Sequence, residues 1–152
     1  MSTENKEVST KLTDKVAEYK LIARESLRMD LITPRLSKIA NVEVTIDSTK
    51  KCKEEIEHEI LVENYEISKL DTDHPDYLLF KEEKEETVKA YTEEVENHDK
   101  AIKELEDVIA EQKEGIAKIE SGETKVSMEA LNDLVSKMIE QDALNAIAKK
   151  AE

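Results

Sequence analysis

Between residues 82 and 120 apolar side chains return every seven residues. Val88, Val95, Ile102, Ile109 and Ile116 hold one position of the repeat, and Tyr91, His98, Leu105, Gln112 and Ile119 hold a second. This spacing averages 3.5 residues, slightly under the turn of a straight helix, so the stripe keeps to one side only if the helix winds around another. The pattern predicts a coiled-coil seam.

A matching run covers Pro34 to Leu70, with Ile39, Ile46, Lys53, Ile60 and Ile67 at one position and Val42, Thr49, Ile56, Glu63 and Leu70 at the other. Within it Val42, Val44 and Ile46 alternate as a strand would. A lone short strand has no neighbour to pair with, so the helical period prevails and Val44 is expected to face outward. Upstream, Val8, Leu12, Val16, Tyr19, Ile22, Ala23 and Leu27 fall three and four apart and predict a first helix over residues 5 to 31. Thr33 and Pro34 predict a corner or kink after it, because the residue before proline is pushed out of the helical region and proline suits a new first turn.

Asp71, Thr72, Asp73, His74, Pro75 and Asp76 form the clearest turn in the chain. Two long helices joined by so few residues must run antiparallel. In such a pair, facing residues have numbers with a constant sum, and sums of 144 and 151 both match apolar layers. The first sets Ile56 against Val88; the second sets Ile56 against Val95. The turn residues favour 144, which gives the shorter connection. Ser121 and Gly122 then predict a helix stop, and Ser127 predicts the cap of a last helix, with Val126 and Leu131 as a hydrophobic staple. Leu131, Leu134, Val135 and Met138 line one face of that helix, while Ala143, Leu144 and Ile147 drift to another, so a kink or fresh start near Asp142 is expected.

The expected fold is therefore all-α: a long antiparallel coiled-coil helical hairpin over residues 34–120, turning near 71–75. An N-terminal helix over 1–33 and a linker with a C-terminal amphipathic helix over 121–152 flank it. Composition agrees with helices more than with a thick core: 39% of residues are charged, 3% are aromatic, and there are only two Gly and two Pro.

The net charge of −14 is uneven, with residues 71–120 carrying 7 basic and 17 acidic side chains. Direct nucleic-acid binding and anionic membrane binding are disfavoured, since both need a basic footprint. One cysteine, Cys52, leaves neither an internal disulfide nor a cysteine zinc site and fits a reducing compartment. With neither a signal-type leader nor a membrane-length apolar run, the expected location is cytoplasmic.

Candidate chemistry is sparse. Glu55 and His58 have the spacing of a di-iron ligand pair, but no second pair accompanies them, so no metal is expected. Lys51 and Lys53 flank Cys52 and could activate its thiol, yet no nucleophile arrangement or phosphate loop accompanies it. No enzyme activity, catalytic residue or cofactor is expected. Thr49, Lys53, Glu63, His98 and Gln112 are polar residues on the seam; His98 is the candidate register-setting or pH-sensitive core position.

The expected function is that of a non-enzymatic helical module that binds protein partners, structural, scaffolding, adaptor or chaperone-like, and acts as a homo-oligomer. The candidate interaction surface comprises Glu86, Glu93, Glu96, Glu104, Asp107 and Glu111, with Leu131, Leu134, Val135 and Met138 on the last helix. The alternative is an acidic decoy that occupies the basic surface of a nucleic-acid-binding protein.

Overall fold

The computed structural model describes the backbone of residues 3–151 and the side chains of residues 14–151. Three helices account for nearly all of it: α1 (Thr3–Ser68), α2 (Tyr77–Glu120) and α3 (Met128–Ala151), with no strand among the described residues. The side chains of Val8 and Leu12, expected on the packed face of the first helix, lie outside that range. The chain divides into two compact units, one made of residues 1–36 with 114–152 and the other of residues 37–113.

The expected corner at Thr33 and Pro34 does not occur. The helix assigned to 1–33 is instead the front of α1, which runs unbroken through Pro34. Proline forfeits one backbone hydrogen bond and ordinarily costs about 3 kcal/mol inside a helix. Burial outweighs it here. Ile32 (5% exposed) and Ile39 (8%) flank Pro34 seven residues apart on one stripe, and both are covered only if the helical period continues. Asp30, whose carbonyl Pro34 cannot serve, is exposed, as is Pro34 itself, so water can take the vacant acceptor.

In the unit of residues 37–113 the burial pattern follows the seven-residue repeats. Ile39, Val42, Ile46, Thr49, Lys53, Ile56, Ile60, Glu63 and Ile67 on α1, and Leu70 two residues beyond it, are buried or half-buried. Val88, Tyr91, Val95, His98, Ile102, Leu105, Ile109 and Gln112 are so on α2. Val44 stands outward, 66% exposed. The strand-like alternation at 42–46 was therefore a coincidence of two period-seven positions with an outward valine.

Ion pairs join α1 and α2 across this unit. Lys53 Nζ lies 2.6 Å from Asp99, while Lys84 Nζ lies 2.6 Å from Glu66 and 3.4 Å from Glu63. Residue numbers thus rise on one helix as they fall on the other, with sums of 147 to 152. The sums of the two pairs at 2.6 Å lie nearer 151 than the expected 144. Lys69 to Asp76 are not helical, and the chain makes successive turns there, with His74 N donating to Asp71 O and Tyr77 N to His74 O, both at 3.1 Å. Asp73 N also donates to the Asp71 carboxylate at 3.0 Å, and Asp76 N to His74 Nδ1 at 3.0 Å. These turns cover the expected 71–75, and α2 begins two residues after Pro75, with Tyr77 to Phe80 in its first turn.

The unit of residues 1–36 and 114–152 is built around Ala23, Leu131 and Val135, with Tyr19, Leu27, Leu134 and Met138 packed against them. Ala23 has no exposed surface, and its small side chain lets α1 and α3 approach closely there. Lys15 and Asp142 pair at 3.8 Å across the same two helices. The expected break near Asp142 is absent, since α3 is continuous to Ala151; Gln141 Nε2 donates to Asn145 Oδ1 at 3.0 Å, one turn along. The end of α2 follows expectation: Gly122 has φ of 83°, and Gly122 N donates to Ile119 O at 3.2 Å. Ser127 caps α3, its Oγ accepting from Ala130 N at 3.3 Å.

Gly122→Ala puts a side chain into the left-handed region with open space around it. The expected cost is about 1 kcal/mol, from backbone strain alone. A urea melt in which Asn at this position costs less than Ala distinguishes conformational strain from lost packing. The second glycine acts differently: a Cβ on Gly115 would fall on the Arg35 guanidinium, so Gly115 makes room for that side chain over α2.

Candidate interaction surfaces

The candidate surface splits in two. Glu86, Glu93, Glu96, Glu104, Asp107 and Glu111 are all exposed on α2, away from the half-buried repeat positions. The unit of residues 37–113 holds 11 basic and 23 acidic side chains, net −12, against net −2 in the other unit. Acidic character is therefore concentrated in one compact unit more sharply than the segment sums suggest.

The second part is spent within the chain itself. Leu131 (1% exposed) and Val135 (6%) are core residues, and Leu134 and Met138 pack beside them. As an open docking face for another protein this quartet is corrected: its occupant is the Tyr19, Ala23 and Leu27 face of α1. The sequence contained both stripes, yet two amphipathic faces of similar length satisfy each other as readily as they satisfy another chain. α3 leaves open Met128 (64% exposed) before this quartet and Ile139, Leu144 (53%) and Ile147 (65%) after it.

His98 is half-buried rather than enclosed. Its Nδ1 lies 2.6 Å from its own helix's Glu94 carbonyl. It shares a shallow groove with Thr45, Ser48, Thr49, Cys52, Asn97 and Ala101. Thr49 tolerates its repeat position because its hydroxyl donates to Thr45 O at 2.8 Å. Cys52 is exposed on the rim of this groove. Glu55 and His58 are exposed on α1, and no group of three or more metal-ligating side chains gathers among the described residues. No helix there is long and apolar enough to cross a membrane.

Lys53 and Lys84 show how cations sit on the repeat. The hydrogen bond from Lys53 to Asp99, helped by Glu57, holds its ammonium above the ordinary lysine value; Glu66 and Glu63 do the same for Lys84. A raised lysine pKa means these pairs contribute fully below the ordinary value of 10.5 and are lost as pH rises through the folded value. Asp99→Asn is expected to bring the Lys53 ammonium back toward the ordinary range. Titration of the side-chain nitrogen by NMR reads this directly, and an unmoved titration would remove Asp99 as the main cause.

Sequence reasoning did not find a cleft in the other unit. A cleft of about 370 Å³ is lined by Arg24, Arg28, Ile119, Gly122, Thr124, Lys125, Val126 and Met128. The available signal was faint: Arg24, Arg28 and Arg35 are the only arginines in the chain, and the first two share a helix face at a spacing of four.

Comparison with protein-family models, with curated proteins and with solved structures finds no match to this chain.

Proposed function

We propose that this protein is a non-enzymatic helical module that binds protein partners, with α1 and α2 forming an antiparallel coiled-coil hairpin over residues 37–113. The half-buried repeat positions on both helices and the pairs of Lys53 with Asp99 and Lys84 with Glu66 support the hairpin. One observation carries the functional reading. The apolar seam faces inward, so the same unit turns its acidic α2 face and the side chains of Leu61 (68% exposed), Tyr65 (64%) and Leu78 (75%) outward. Such a face suits a partner with basic and apolar character. A cytoplasmic place belongs to this reading, and the unpaired Cys52 is consistent with it.

Homo-oligomerisation rests on less surface than the sequence implies, because Leu131 and Val135 are covered in cis; Leu21, Ile22, Leu144 and Ile147 are what a second copy could cover. Light scattering over a range of concentrations decides it, with a constant 17.4 kDa removing the oligomer from the proposal.

The net −12 of one unit also favours the second reading, an acidic decoy for a nucleic-acid-binding protein. Capture on the immobilised chain, beside a Glu93→Gln, Glu96→Gln, Glu104→Gln variant, tests both. Partners held by the native chain through moderate salt and lost by the variant support the module, whereas nucleic-acid-binding proteins released by that salt support the decoy. Identical captures on both chains contradict the acidic face as the binding surface.

A further inference from the structure

The cleft between the end of α2, the start of α3 and the facing side of α1 combines two chemistries. Ile119, Val126 and Met128 supply apolar walls, and Arg24, Arg28 and Lys125 supply three cations. No carboxylate is among its lining residues. In a chain of net charge −14 that is an unusual gathering. Arg24 and Lys125 have no ion pair among the described residues. Among the described residues Arg28 pairs with exposed Glu25, at 3.4 Å, a contact that a better-placed carboxylate can displace. Arg24 and Arg28 lie one turn apart, so two guanidinium forks point to the same side of α1. The first turn of α3 adds its positive end near the mouth, partly offset by Glu129 in the same turn.

The geometry points to a binding site for an aliphatic carboxylate: a short apolar chain seated on Ile119, Val126 and Met128, headed by one anionic group held by Arg24, Arg28 and Lys125. The volume is at the low end of the roughly 300–1,000 Å³ typical of ligand sites, which selects a short chain. A phosphate or sulfate alone would leave the apolar wall unused, and an uncharged hydrocarbon would leave three cations unused. The same chemistry comes either as a free organic acid or as the C-terminal carboxylate of a peptide ending in an aliphatic residue. This site is separate from the acidic face of α2 and stands whether or not that face binds a partner.

Calorimetric titration of the full chain with sodium octanoate tests it, beside acetate, octanol and octyltrimethylammonium. Octanoate is expected to bind at least tenfold more tightly than each of the three. An Arg24→Gln, Lys125→Gln double variant, with its helicity and melt checked against the native chain, is expected to lose at least tenfold in octanoate affinity. Both side chains are on the surface, so the variant should fold. A peptide ending in leucine identifies the source: tighter binding than octanoate that vanishes on C-terminal amidation marks a peptide terminus, and weaker binding marks a free acid. Octanoate heats no larger than those of acetate, equal binding of octanol, or unchanged binding by the double variant would each overturn the assignment.

Discussion

Leu131→Ala is expected to destabilise the chain by about 3 kcal/mol, within the range of roughly 2–5 kcal/mol for deleting a buried leucine side chain. Leu131 is 1% exposed and lies against Ala23 and Val135, with Tyr19, Leu27, Leu134 and Met138 around them. The cost depends on how far the neighbours can collapse into the vacancy. Ala23 carries only a methyl group with no torsion to swing it into the vacancy, and Val135 is stiff about its first torsion, so most of the cavity should persist. Urea unfolding followed by far-ultraviolet circular dichroism measures the loss. Leu144→Ala, on the same helix but 53% exposed, is the internal control and should change stability by no more than about 0.5 kcal/mol. Equal losses at the two positions would mean that α3 does not dock through Leu131.

Ile102→Ala is expected to cost about 2 kcal/mol, the low end of the same range. Ile102 is 8% exposed on α2, in the unit that carries most of the charge. It sits beside a polar stretch, since His98 is one turn away and Lys53 pairs with Asp99. Water can enter a vacancy in a layer two helices thick, which limits the packing lost and places this substitution below Leu131→Ala. Ala101→Ser, at the neighbouring position on the edge of the groove, is the mild comparison. A loss at Ile102 as small as that comparison would contradict an inward-facing seam.

The repeat positions could be read from the sequence because a period of seven leaves little freedom in which side of a helix is covered. Val88, Val95 and Ile102 are less exposed than most of the residues between them, and Val44 points outward for the same reason. Gly122 and Ser127 were readable because left-handed backbone and an open helix start each need particular residue types. Register was another matter. Sliding one helix by a full heptad leaves every apolar position on the seam, so the pattern is nearly degenerate between sums of 144 and 151, and charge pairs rather than apolar layers bear on the choice. Lys53 stood out as a lysine on the seam, but its partner, Asp99, lies just off the repeat positions and is invisible to a count of apolar layers.

Pro34 misled for a related reason. A local rule assigns proline to a helix start, whereas Ile32 and Ile39 on either side of it require the helix to continue. The cationic cleft was the least legible feature. Arg24 and Arg28 come together with Lys125 only once α3 has folded back on α1, roughly a hundred residues later in the chain.

Methyl-to-methyl nuclear Overhauser spectroscopy on the full chain, with isoleucine and valine methyl groups labelled, tests the hairpin most directly. A cross-peak between Ile56 and Val95, retained when labelled chain is diluted into unlabelled chain, is the predicted result. A cross-peak from Ile56 to Val88 instead, or one to Val95 that fades on dilution because it joins two copies, would contradict it.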